Sequence, residues 1–149
     1  MFDLHIREAA LTDVLGIIRV RKQATENVMR QEVTAEMLYR ALQLDCKGYV
    51  AVSHDQIVGF CIGNKRRGSI WGLFVLPSYQ GIGLGEQLLE TTTHWLWKQK
   101  QGFFRKKLKR ITLTTHKDAK SEEFYQHLGW QRGQELPDEE VEYFIERTV

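Results

Sequence analysis

The stretch Gln80-Gly81-Ile82-Gly83-Leu84-Gly85 constrains the fold most. It separates an apolar run, Ile70 to Leu76 closed by Pro77, from an amphipathic pattern that runs from Leu84 to about Trp97. The order is therefore strand, glycine-rich turn, helix. In such a turn several backbone N–H groups point at one spot, at the positive end of the helix dipole. That spot attracts an anion, most often phosphate. Without Cβ atoms, the glycines let a ligand approach the backbone closely.

The spacing excludes two common phosphate loops. A G-x-G-x-x-G fingerprint counted from Gly81 meets Glu86 at its last position, and counted from Gly83 it meets Leu88. No Lys-Ser or Lys-Thr pair follows at P-loop spacing. What remains is Q-x-x-G-x-G, read as Gln80, Gly83 and Gly85. Before it stands Leu73-Phe74-Val75-Leu76-Pro77, and far downstream stands Phe124-Tyr125-Gln126-His127-Leu128-Gly129-Trp130. Read from the residues alone, the first of these is a buried central strand. The second is a helix with Phe124, Tyr125 and Leu128 at helical spacing and Gly129 as its stop.

Together the segments resemble two signatures of the GCN5-related N-acetyltransferase (GNAT) family: its pyrophosphate loop and its F-Y-x-x-x-G-[FW] helix. The resemblance implies that Gln80, Gly81, Ile82, Gly83, Leu84 and Gly85 hold the diphosphate of acetyl-CoA. It implies that Phe74 and Val75 flank the pantetheine arm, one of them turning a backbone N–H to the acetyl oxygen. Tyr125 would protonate the departing thiolate. The expected activity is an acyltransferase reaction, direct acetyl transfer from acetyl-CoA to a primary amine in a ternary complex. Acetyl-CoA is then a co-substrate, and no metal is expected. The acceptor, a small molecule or a peptide, is not legible. Homodimers are frequent among relatives. The alternative is an acyl-CoA-binding regulatory module without turnover.

The chain departs from the family in two places. Relatives often carry Asn, then Ala three residues later, then Phe-Tyr; here Asp118 and Ser121 stand there. An ionised Asp cannot donate a hydrogen bond, so Asp118 is expected to cap the helix instead. Many relatives place a Glu on the strand before the loop, yet Ile70, Trp71, Gly72 and Leu73 include no carboxylate. The base that frees the amine is then a water chain, Glu26, or Glu140 or Glu142. The acidic run from Glu135 to Glu142 reads first as a solvated loop and second as an attractor of cationic amines.

Hydrophobic patterning places a strand at Leu4 to Glu8 and a helix from Thr12 or Asp13. A second helix is capped by Thr34, and strands follow at Gly48 to Val52 and Gln56 to Ile62. After the glycine loop and its helix come a strand at Ile111 to Thr115, the Phe124 helix, and strands near Trp130 to Gly133 and Val141 to Glu146. This β-α-α-β-β-β-α-β-α-β-β order matches the acyl-CoA N-acyltransferase fold of the family. The fold class is α/β (α+β), a mixed, mostly antiparallel sheet flanked by helices, with residues 1–149 as one domain.

The composition, 42% hydrophobic and 27% charged, is that of a globular chain. No apolar run reaches membrane-spanning length, and Asp3, His5, Arg7 and Glu8 interrupt any leader, so no membrane role and a cytoplasmic location are expected. Cys46 and Cys61 form no framework. The histidines lack metal-ligand spacing. A net charge of +2 does not argue for nucleic acid, and no such partner is expected. A basic cluster from Lys98 to Arg110, with Phe103 and Phe104 inside it, reads first as a solvated loop. Its second reading is attraction for an anion such as the cofactor's ribose phosphate.

Overall fold

The computed structural model describes residues 3–24 and 32–148. In chain order the elements are β1 (Leu4–Glu8), α1 (Val14–Ala24), α2 (Ala35–Gln43), β2 (Cys46–Ser53), β3 (Gln56–Asn64), β4 (Ser69–Val75) and α3 (Leu84–Trp97). They continue with β5 (Lys100–Gln101), β6 (Lys106–Lys107), β7 (Arg110–His116), α4 (Lys120–His127), β8 (Gln131–Leu136) and β9 (Glu140–Glu146). A 7-stranded sheet has the order β1-β2-β3-β4-β7-β9-β8, and only β4 and β7 run parallel.

Local chemistry sets these elements. Thr34 caps α2 by accepting the Met37 N–H at 3.2 Å. His54 and Asp55 take φ of 50° and 63°, the tight turn that folds β3 back onto β2. From Ile57 to Gly63 β3 is buried at every residue, because helices cover both faces of the sheet. One core packs α3 and α4 around Leu88, Ile111 and Tyr143; the other packs α1 and α2 around Ile17, Leu38 and Phe60.

One irregularity shapes the middle of the sheet. Ile62 opposes Gly72 and Gly63 opposes Ile70, so Trp71 is the extra residue of a bulge in β4. A bulge bends a strand and increases its twist. On the other edge of β4, pairing with β7 is confined to Ser69 and Thr112, with the Thr112 N–H donating to Gly68 at 3.1 Å. Past the bulge the two parallel strands part, and the sheet opens between the ends of β4 and β7.

Two expectations are corrected. Asp118 does not cap α4: Ala119 is the N-cap, and Asp118, at φ 61°, donates its N–H to the Glu122 carboxylate. The solvated loop after α3 contains the β5–β6 hairpin. Among the described residues no helix is long and apolar enough to cross a membrane.

Candidate active site

The glycine loop lies at the wide end of the opening. Gly81 and Gly83 have φ of 80° and 83°, values that side-chain-bearing residues avoid. A Cβ built on either would meet no protein atom within 4 Å. The dihedrals therefore demand glycine, and the space in front of the loop is free. Gly83 is the N-cap of α3 with no side chain capping the helix, and the first helical bond runs from the Gln87 N–H to Gly83 at 3.1 Å. The N–H groups of Gly81 through Glu86 have no protein acceptor among the described residues. Leu84 anchors the helix in the core, while Ile82 is exposed.

Gln80 does not face this space with its amide. Its Nε2 donates to the Val75 carbonyl at 2.9 Å, which clamps the loop to the end of β4. Phe74 also differs from expectation. Phe74 pairs with Phe60, and the Leu76 N–H bonds Val58 at 2.9 Å. Antiparallel bonding alternates along a strand, so the N–H and C=O of Phe74 turn toward β3. Those of Leu73 and Val75 turn toward the opening. Leu73 is the residue that sequence reasoning missed; the bulge register that decides it is not visible in a one-dimensional pattern.

Helix α4 reaches the same place. A Cβ on Gly85 would lie 3.4 Å from Phe124 Cζ and 3.9 Å from Val75 Cγ2, so strand end, loop and α4 meet there. Tyr125 follows directly. Its ring packs against Phe124, Trp130 and Tyr143 with centroids 5.1, 5.9 and 5.9 Å away, and the residue is 7% exposed. Burial, then the nearby Cys61 thiol, push its hydroxyl pKa well above the usual tyrosine value. Cys61 is the cross-strand partner of Leu73. The Tyr125 hydroxyl is therefore protonated at neutral pH, on the side of the sheet that carries α3.

A polar network holds α4 in place. Glu122 Oε1 accepts from the Tyr143 hydroxyl and from Arg132 Nε, each at 2.7 Å, and Gln126 Nε2 donates to the Tyr143 hydroxyl at 3.0 Å. The bonds from Tyr143, from Arg132 and from the Asp118 N–H lower the Glu122 pKa to about 2.

The remaining candidates are not gathered here. Glu26 lies outside the described residues. Val141, Tyr143 and Ile145 enter the core under α3 and α4, so Glu140 and Glu142 lie on the opposite face of the sheet. Glu135 is paired with Lys117 at 2.7 Å and Arg132 at 3.4 Å. Asp138 and Glu139, at φ 66° and 60°, form the β8–β9 turn, which favours the solvated reading of the acidic run. Cys61 is fully buried, and burial pushes its thiol pKa up to about 12. Among the described residues no group of metal-ligating side chains is present. The basic cluster lies beyond the far end of α3, whose 14 residues span about 21 Å.

A family model described as "Acetyltransferase (GNAT) domain" matches residues 45–132. The chain belongs to the GNAT acetyltransferase family. Solved structures share its fold along nearly the whole length. The PaiA N-acetyltransferase from Thermoplasma acidophilum, solved in complex with coenzyme A, is 15% identical, with 97% of this chain and 99% of that one covered at a TM-score of 0.79. The ribosomal-protein-S18-alanine N-acetyltransferase from Escherichia coli is 15% identical, with 98% and 95% covered at 0.76. Ard1 from Thermoplasma volcanium is 15% identical, with 98% and 99% covered at 0.75. No curated protein matches. This GNAT chain therefore carries the family's mixed sheet with its loop and Tyr125 helix meeting at the parting of β4 and β7.

Proposed function

We propose that the chain transfers an acetyl group from acetyl-CoA to a primary amine within a ternary complex. The observation that carries this reading is the row of N–H groups from Gly81 through Glu86 without a protein acceptor among the described residues, on a loop with free space before Gly81 and Gly83. Their donors and the α3 dipole suit a diphosphate. The T. acidophilum relative, with coenzyme A bound, supports the same ligand class.

Acetyl-CoA supplies an activated thioester. The N–H and C=O of Leu73 and the N–H of Val75 face the opening and suit the amides of the pantetheine arm, while the Val75 carbonyl is held by Gln80. An N–H there is also placed to stabilise the developing oxyanion. Tyr125, protonated at neutral pH, donates its proton to the departing thiolate. The amine must lose a proton before it attacks, because an alkylamine is mostly protonated at pH 7. β4 offers no carboxylate for this, so a water chain or a carboxylate such as Glu26 removes it.

Two measurements test the reading. Calorimetry with acetyl-CoA is expected to show binding; no heat at about millimolar ligand rejects it. Thiol release across a panel of small amines and peptides is expected to identify acceptors. Tight CoA binding with silence across the panel favours the regulatory module.

A further inference from the structure

The far end of α3 carries a second feature that acetyl transfer leaves unused. A cleft of about 460 Å³ separates the β3–β4 turn from the β5–β6 hairpin. Lys65 and Arg66 line one wall, Lys98 stands at the helix end, and Lys100 and Arg105 line the other wall; Asp45 is the one acid there. None of these cations has an ion pair among the described residues. Lys106 and Lys107 continue the hairpin, both exposed.

The hairpin is braced at both sides. Gln101 Nε2 donates to the carbonyls of Lys65 and Arg66, 36 and 35 residues away. Arg147 donates to the carbonyls of Leu108 and Trp97 and stacks its guanidinium 4.9 Å from the Trp97 ring centre. Yet this anchored hairpin holds Phe103 and Phe104 in water, 92% and 79% exposed. Their rings contact each other edge to face at 5.3 Å, which leaves ring faces open.

We infer that the cleft and the hairpin bind single-stranded nucleic acid, with phosphates among the cations and bases stacked on Phe103 and Phe104. Proteins that hold single strands without reading sequence combine a cationic groove with exposed aromatic platforms. The concavity decides against a lipid surface, since a flat bilayer meets the phenylalanine tips but cannot enter the cleft. In sequence the net charge of +2 does not argue for such a partner, and the basic cluster reads first as a solvated loop. Folding adds Lys65 and Arg66 from the β3–β4 turn.

The test is fluorescence anisotropy with short labelled oligouridylate and oligothymidylate, at low and at physiological salt. One or both strands bind, and affinity falls steeply with salt. The F103A/F104A double variant weakens binding by roughly tenfold or more. The K98E/K100E variant flattens the salt dependence. All the exchanged residues are exposed, and the variants keep wild-type binding of CoA in calorimetry, so this test is independent of the loop's role. No binding of either strand at low salt overturns the inference. So does binding that is indifferent to the phenylalanines, or association only with anionic phosphatidylserine vesicles.

Discussion

The Tyr143 hydroxyl donates to Glu122 Oε1 at 2.7 Å, and this bond ties β9 to the helix that carries Tyr125. Glu122 is the hub of the site's support. The Tyr143 and Arg132 bonds and the Asp118 N–H converge on it, and the ring of Tyr143 lies against that of Tyr125.

Acid is therefore expected to loosen α4. The Glu122 pKa is lowered from 4.5 to about 2. A depressed folded-state pKa contributes stability that is present above 4.5 and lost as pH falls toward about 2. Asp13, lowered mainly by its bond to Arg7, and Glu135, lowered mainly by Lys117, add to the wild-type acid profile. In E122Q the part due to Glu122 disappears, so the gap in urea midpoint between wild type and variant narrows across that pH window. An unchanged gap removes Glu122 from this role. Y143F, which removes a bond to a charged acceptor, is expected to cost about 1.5–3 kcal/mol in the same assay at neutral pH.

Tyr125→Phe is expected to lower kcat by about 10²-fold or more, with CoA affinity unchanged. The pH profile adds a second check. Because burial raises the Tyr125 pKa, the hydroxyl stays protonated through the working range, and no alkaline loss of kcat below about pH 10 belongs to it. An unchanged kcat, with chemistry rate-limiting, leaves Tyr125 as a packing residue.

Gly83→Val forces a side chain into φ 83° and into the free space before the loop. Folding loses about 1–2 kcal/mol from the left-handed conformation. CoA binding is lost altogether, because the new atoms stand where the ligand approaches. Thermal melting confirms that the variant folds, and calorimetry reads the binding; retained affinity removes the loop from ligand contact.

Gln80→Ala removes the clamp on the Val75 carbonyl. The bond is worth about 0.5–1.5 kcal/mol, so KM for acetyl-CoA is expected to rise roughly two- to tenfold while kcat changes little. A fall in kcat without a change in KM points instead to a direct role in chemistry.

Local signals made much of this legible. Leu4–Glu8 was readable from its alternation, Thr34 from its capping chemistry, and the Tyr125 helix from its spacing and from Gly129, which takes φ 92°. What stayed hidden was set at long range. The turn of Phe74 away from the opening follows from the register of β4 against β3. The grip of Gln80 on Val75 is a choice the side chain makes in three dimensions. The β5–β6 strands, of 2 residues each, are too short to show a period, and a glutamine bonding a distant turn places them.

Trp71 acts as a spacer wedged into a zipper. Without it, β4 would shift by one position, and the side chains on one flank of that shift would exchange sides of the sheet. The strand would lose its reason to swing away from its parallel neighbour. The gap between two parallel strands is thus built into the chain by a single surplus residue.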